Sequence, residues 1–117
     1  MSQHPLVGAR IIEAKGKGAQ IIVADPRRIQ ISRFADLHLK HKPGSDVALI
    51  NGMMKCILDH GLENESFISE RTEDFDKLKE VLDALSLDEV EKITGVAREE
   101  IEKAALIYAK AEASCII

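Results

Sequence analysis

The sequence predicts a small three-layer, Rossmann-like α/β domain with a short, mostly parallel sheet and a helix-rich C-terminal half. Three observations support this fold class. A β-branched run at residues 21–24 follows a helical stretch and glycines, which is the helix-to-strand step of a parallel sheet. Residues 35–39 alternate apolar and polar side chains, which indicates a second strand. Beyond residue 45, apolar residues recur at spacings of three and four, which predicts helices in a single domain over residues 1–117.

The first half of the chain begins with a predicted helix over about residues 5–17. Pro5 suits a first helical turn, and glycines at positions 16 and 18 end the helix. Its apolar stripe consists of Leu6, Val7, Ile11 and Ala14. Residues 29–34 are expected to form a turn of helix or an irregular crossover. Alternation in the second strand places Leu37 and Leu39 on one face.

The longest helix of the second half is predicted from Asp46 to about residue 60, with Gly61 as its stop. Its apolar positions are Val47, Ile50, Met53, Met54 and Ile57. Asn64 is the predicted N-cap of a short helix, and Thr72 is the predicted N-cap of the next one. Ser86 and Glu89 have the spacing of a capping box before a brief helix that Gly95 ends.

A last helix is predicted over about residues 97–110, and an apolar strand over residues 114–117 follows it. The helix presents Ile101, Ala104, Ala105 and Tyr108 on one face. A final strand without a neighbour would leave backbone groups unpaired. We therefore expect a fragment of a longer protein, with self-association through this strand.

Composition and charge restrict the class of protein. The chain is 45% hydrophobic and 31% charged, and it contains no apolar run of membrane-spanning length. Residues 1–45 hold eight Lys and Arg against three acidic residues, whereas the acidic remainder argues against a nucleic-acid-binding face. Two distant cysteines and no signal-like N-terminus favour the cytoplasm.

Two segments are candidate walls of a nucleotide site. Residues 25–27 leave the first strand at the sheet edge where α/β proteins bind ligands. Residues 44–46 lead into a helix whose N-cap is Ser45 or Asp46, and the N-terminal N–H groups and dipole of this helix favour anions. The candidate contact residues are Asp25, Pro26, Arg27, Gly44, Ser45 and Asp46.

Each segment also has a plainer interpretation, since Asp, Pro and Gly are common in turns. Cys56 and His60 stand four apart on one helix, but zinc needs more ligands than this pair supplies, and we predict no metal ligands. His38 and His41 are expected on the surface or at the rim of the site. We assign no catalytic residue.

An ordered set of motifs runs along the chain: His4-Pro5, the run from Gly18 to Arg28, Ala35 to Leu39, Lys42 to Asn51, Phe67-Ile68, Arg71 to Glu73, Phe75, Ile93 to Val96, Ala104-Ala105 and Tyr108-Ala109. In this order the motifs resemble those of the molybdopterin oxidoreductase family, and within it those of the catalytic subunits of formate dehydrogenases. They cover essentially the whole chain.

This resemblance implies part of the α/β domain that holds one guanosine end of a bis-molybdopterin guanine dinucleotide carrying molybdenum or tungsten. By position, the family's nucleotide contacts fall on residues 25–27 and 44–46. Complete members oxidise formate and pass electrons to an iron–sulfur cluster. The implied partners are therefore the remainder of the catalytic subunit and electron-transfer subunits.

The chain also departs from the family pattern. The N-terminal cysteine cluster for iron–sulfur binding and the metal-ligand residue are absent from this sequence, so we expect no redox activity from it alone. Two other functions remain open. The first is a stand-alone nucleotide-binding or protein-interaction module, and the second is a segment of a nitrate reductase or formylmethanofuran dehydrogenase. A helix-turn-helix around Gly95 is disfavoured, because Glu99, Glu100 and Glu102 occupy its second helix.

Overall fold

The computed structural model of the protein describes residues 4–117. Over these residues the elements are, in chain order, α1 (Pro5–Gly16), β1 (Ile22–Ala24), a 3₁₀ helix (Gln30–Arg33), β2 (Leu37–Leu39), α2 (Asp46–Asp59), α3 (Glu65–Arg71), α4 (Phe75–Ala84), α5 (Leu87–Thr94) and α6 (Arg98–Lys110). The α/β class, the short parallel sheet and the helix-rich C-terminal half are confirmed.

The sheet joins β1 and β2 in parallel. Ile22 lies opposite Leu37, and Ala24 lies opposite Leu39. The pairing begins at Asp36, whose backbone N–H donates to the Ile21 carbonyl (2.8 Å) and whose carboxylate accepts from the Ile21 N–H (2.7 Å). Both strands therefore run in one direction, and their carboxyl ends lie at the same edge of the sheet. The candidate residues 25–27 and 44–46 follow these two strand ends.

The core forms where α2, α5 and α6 pack together and against β2. Its buried residues are Leu37, Leu39, Leu49, Cys56, Val90, Val96, Ile101, Ala104 and Ala105. Leu37 and Leu39 share the buried face of β2, as the alternation predicts. The face predicted for α6 is also buried at Ile101, Ala104 and Ala105.

The face predicted for α2 is partly correct, because Met53 and Ile57 pack against the core, but its first two residues do not. Val47 is 73% exposed and Ile50 is 38% exposed, whereas Leu49, Gly52 and Cys56 point into the core. This helix is apolar around most of its circumference, so periodicity alone permits more than one stripe. The helices α5 and α6 select the buried stripe.

The apolar stripe predicted for α1 is mostly exposed. Leu6 is 82% exposed and Val7 is 40% exposed, while Ile11 is half-buried. Two strands of three residues offer little surface for this helix to cover. The helix itself begins at Pro5 as predicted.

Helix ends follow local chemistry at most of the predicted positions. The Asn64 side chain accepts from the Phe67 N–H, and Gly95 ends α5 with a φ of +73°. The prediction that Thr72 begins α4 is wrong, because Asp74 is the N-cap of that helix. Thr72 ends α3 instead, and its hydroxyl donates to the Ile68 carbonyl (2.7 Å). Ser86 caps α5, but its hydroxyl accepts from the Asp88 N–H rather than closing a box with Glu89.

The strand predicted over residues 114–117 is not formed in the structure. These residues are irregular and exposed, with Ile116 at 69% and Ile117 at 87%. An apolar run becomes a strand only when a neighbouring strand accepts and donates its backbone hydrogen bonds. None of the helices formed by residues 4–117 is long and apolar enough to cross a membrane.

Candidate functional site

Asp25 is the first residue beyond β1 at the carboxyl edge of the sheet. Its backbone N–H donates to the Leu39 carbonyl (3.2 Å), which continues the pairing of the two strands. Its own carbonyl accepts from His38 Nε2 at 2.9 Å. The backbone of Asp25 is thus fixed by β2, while its side chain leaves the sheet.

The turn after β1 is closed by the Asp25 carboxylate. Its Oδ1 accepts from the Arg27 backbone N–H (2.7 Å) and lies 3.4 Å from Arg27 Nε. The backbone hydrogen bond from Arg27 is the largest cause that lowers the pKa of Asp25, so the carboxylate is ionised at neutral pH. The Arg27 side chain is 81% exposed.

The loop after β2 is anchored to the C-terminal end of α5. The Lys42 N–H donates to the Thr94 carbonyl (2.8 Å), and Lys42 Nζ donates to the Lys92 carbonyl (3.1 Å). A cation at a helix C-terminus is electrostatically favourable. The position of the loop after β2 is therefore fixed by its hydrogen bonds to α5.

The turn at residues 43–45 depends on Gly44 and Ser45. Gly44 has a φ of +80°, a left-handed conformation that glycine adopts without strain, and space is open where a side chain would begin. The Ser45 hydroxyl and N–H both donate to the Lys42 carbonyl, at 2.6 and 3.2 Å. Ser45 occupies the predicted N-cap position of α2, but its hydroxyl shapes the turn and does not cap the helix.

Asp46 opens α2, and its carboxylate is held by His41. The Oδ1 atom of Asp46 accepts from His41 Nε2 at 3.0 Å. This hydrogen bond is the largest cause that lowers the pKa of Asp46. The Asp46 side chain is nevertheless 73% exposed, so an ionised carboxylate faces solvent at the start of the helix.

The two candidate segments lie at the same edge of the sheet. The Leu39 carbonyl accepts from the Asp25 N–H and also lies 3.5 Å from His41 Nδ1. Because the other nitrogen of His41 bonds Asp46, one carbonyl and one imidazole connect the two segments. The exposure of Arg27 and Asp46 makes this candidate site an open surface rather than an enclosed cavity.

His41 is the site residue that the sequence placed wrongly. We expected it on the surface or at the rim, but it is 4% exposed. Lys40 and Lys42 flank it, so the local sequence is typical of an exposed loop. His38 is half-buried. The only signal for His41 is an acid five residues later, at the start of a helix.

Two hollows lie away from the candidate site. One, of about 500 Å³, lies along α6 and includes Gln20, which precedes β1 at the opposite edge of the sheet. The other, of about 640 Å³, lies between α3 and α4. No group of three or more His, Cys, Asp or Glu within residues 4–117 is arranged to hold a metal ion. Cys56 and His60, which stand four apart on one helix, are joined by a hydrogen bond from His60 Nδ1 to the backbone carbonyl of Cys56.

Comparison with known proteins gives a consistent assignment. The model of the molybdopterin oxidoreductase family matches residues 1–112. The F420-dependent formate dehydrogenase subunit alpha of Methanocaldococcus jannaschii is 46% identical over 98% of this chain and 17% of that protein. The assimilatory nitrate reductase catalytic subunit of Bacillus subtilis is 47% identical over 92% of this chain and 15% of that protein.

Among solved structures, acetylene hydratase from Pelobacter acetylenicus superposes with a TM-score of 0.81 and 36% sequence identity. The match covers 86% of this chain and 14% of that one. The chain thus spans no more than about a sixth of the length of these relatives.

Proposed function

Because the chain belongs to the molybdopterin oxidoreductase family, we propose that it forms part of the cofactor-binding surface of a larger catalytic subunit. The ligand of this surface is one guanosine end of a bis-molybdopterin guanine dinucleotide. When bound, the molybdenum or tungsten of that cofactor supplies two-electron redox chemistry. The residues of this chain bind and orient the nucleotide end.

The residues at the carboxyl edge fit such a ligand. A nucleotide end combines a negatively charged diphosphate with ribose hydroxyls and base N–H groups. The first turn of α2 has no cap from the Ser45 side chain, so its N–H groups suit a diphosphate. The open space at Gly44 allows the backbone to approach the ligand closely. This uncapped helix start beside two ionised carboxylates is the observation that carries the proposal.

Each candidate residue has a distinct role in this proposal. The exposed Arg27 guanidinium binds diphosphate oxygens as a fork. The carboxylates of Asp25 and Asp46 accept hydrogen bonds from base N–H groups or ribose hydroxyls. Pro26 stiffens the turn between Asp25 and Arg27. Ser45 keeps the Gly44 turn in shape, since both of its donors are used by the Lys42 carbonyl.

For the whole enzyme we propose oxidation of formate to carbon dioxide, with electrons passed to an iron–sulfur cluster outside this segment. The similarity to a formate dehydrogenase alpha subunit supports this substrate. Nitrate reduction is the second candidate, because the sequence identity to a nitrate reductase over this segment is about as high as that to the formate dehydrogenase subunit. The segment holds no residue to which we assign catalysis, so we expect it to be inactive alone.

The proposal also includes the surroundings of the segment. The remainder of the catalytic subunit and electron-transfer subunits are its proposed partners, which the designation of one relative as a subunit alpha supports. A cytoplasmic location and self-association through residues 114–117 stay predictions. The rival interpretation, a stand-alone nucleotide-binding or protein-interaction module, requires neither a metal cofactor nor partner subunits.

The test is calorimetric titration of the 117-residue chain with GDP, and with ADP as the comparison nucleotide. We expect Asp25→Ala and Arg27→Ala each to weaken GDP binding about ten-fold, because each removes a charge-assisted hydrogen bond. Thermal unfolding should change little, since both side chains lie outside the core. Asp83→Ala and Arg98→Ala are matched controls, because both side chains make ion pairs away from the edge. Unchanged GDP affinity in both site variants would contradict the nucleotide assignment.

A further inference from the structure

His41 is a buried polar side chain between β2 and α2. It is 4% exposed, and its two ring nitrogens face the Leu39 carbonyl at 3.5 Å and the Asp46 carboxylate at 3.0 Å. A buried imidazole is unfavourable unless its nitrogens have hydrogen-bonding partners. The Asp46 carboxylate meets this requirement for Nε2 and also connects the interior to an exposed side chain.

The turn that contains His41 is held in place by other residues. Ser45 bonds the Lys42 carbonyl, and Lys42 is anchored to the last turn of α5. What His41 adds is a restraint on Asp46. The Asp46 side chain is 73% exposed, and an exposed carboxylate otherwise samples several rotamers.

We propose that His41 is the positioning residue of the nucleotide site, holding the Asp46 carboxylate in the orientation that receives the ligand. This inference rests on the proposed role of Asp46 in nucleotide binding. The His41 bond engages Oδ1 of Asp46 and leaves Oδ2 for a ligand donor. The lowered pKa of Asp46, caused first by this bond, is consistent with a carboxylate that stays ionised and accepts hydrogen bonds.

The restraint has an expected size. A side chain that is fixed before binding does not lose rotamer freedom when the ligand binds. If the Asp46 side chain is no longer restrained by His41, it loses that freedom on binding, which weakens affinity by less than about one order of magnitude. We therefore expect His41→Leu, which fills the same buried space without a donor, to weaken GDP binding about five-fold. His41→Gln keeps an N–H donor at a similar reach, and its affinity should stay within about two-fold of the original.

A double-mutant cycle separates positioning from general destabilisation. In an Asp46→Ala background, His41→Leu should have no further effect on GDP affinity, because the carboxylate that it orients is gone. An equal loss in both backgrounds would overturn the inference. If the unsubstituted chain does not bind GDP, the proposed function itself fails. If it binds GDP and His41→Leu binds equally well, only the positioning role fails.

Nitrogen NMR of the unsubstituted chain keeps the inference testable if His41→Leu does not fold. His60 is the internal control, because its Nε2 lies 3.1 Å from a carboxylate oxygen of Glu102 near the other end of α2. We expect GDP to shift the Nε2 signal of His41 and to leave that of His60 unchanged. A saturated complex without a shift at His41 would overturn the positioning role.

Discussion

Gly52→Ala tests how closely α2 packs against its neighbouring helices. A Cβ atom at this position would lie 2.8 Å from Val90 Cγ1 on α5 and 3.4 Å from Ile101 Cγ2 on α6. Val90 and Ile101 are both 0% exposed. The clash therefore falls on short, β-branched side chains that cannot swing into solvent.

The expected change in the free energy of unfolding is the sum of two opposing effects. Carbon atoms pack best about 3.5–4.0 Å apart, so the helices must separate by roughly 0.7 Å or more at the Val90 contact. Overpacking of this kind costs about 1–3 kcal/mol. Alanine in a helix interior recovers about 0.8–1 kcal/mol relative to glycine. The net expectation is a loss of about 1 kcal/mol in the free energy of unfolding, or about 4 °C in Tm.

Urea and thermal unfolding of four proteins, the original chain, Gly52→Ala, Val90→Ala and the double variant, measure this loss. Val90→Ala removes the atom that the new Cβ meets, so Gly52→Ala should become stabilising by up to about 1 kcal/mol in that background. Gly16→Ala is a control at a helix end with open space. A stabilising Gly52→Ala in the original chain would refute the close approach of α2 and α5.

Two further predictions concern the reactivity of the two thiols and the loss of folding stability at low pH. Burial is the first cause that raises the pKa of the Cys56 thiol, to about 11, whereas Cys115 is exposed. Iodoacetamide at about pH 8 should therefore label Cys115 in the folded chain and Cys56 only after denaturation. Equal labelling of both thiols would contradict the burial of Cys56 in the core. The hydrogen bond from Lys15, followed by that from the Ile21 N–H, lowers the pKa of Asp36, so its stabilising effect is present above the usual aspartate range and is lost as pH falls through the lowered pKa. Asp36→Asn should therefore reduce the urea midpoint more at about pH 7 than at about pH 3, and an equal reduction at both would argue against the ion pair.

Local chemistry in the sequence was enough to find the elements of the fold. A β-branched run predicted β1 and the Leu37–Leu39 alternation predicted β2, although each strand has only three residues. Asn64 and Gly95 marked helix ends because an amide cap and a left-handed glycine act within one turn of the chain. Such short-range signals do not need the rest of the fold.

The features that the sequence did not predict depend on distant residues. The buried stripe of α2 is selected by α5 and α6, which lie far along the chain. Residues 114–117 have strand-like composition, but pairing partners decide whether such a run becomes a strand. His41 lies between two lysines, and its burial at 4% exposure has no signal in its immediate sequence neighbours. At the candidate site, the sequence indicated both segments but not the imidazole that connects them.

In the function proposed above, the carboxyl edge of β1 and the N-terminus of α2 bind a guanine nucleotide together. The most direct test of this function is an amide NMR titration of the 117-residue chain with GDP. We expect the largest shifts at the N–H groups of Arg27, Gly44 and Asp46. Shifts confined to the hollow along α6 or to the one between α3 and α4, with those three signals unmoved at saturation, would contradict it.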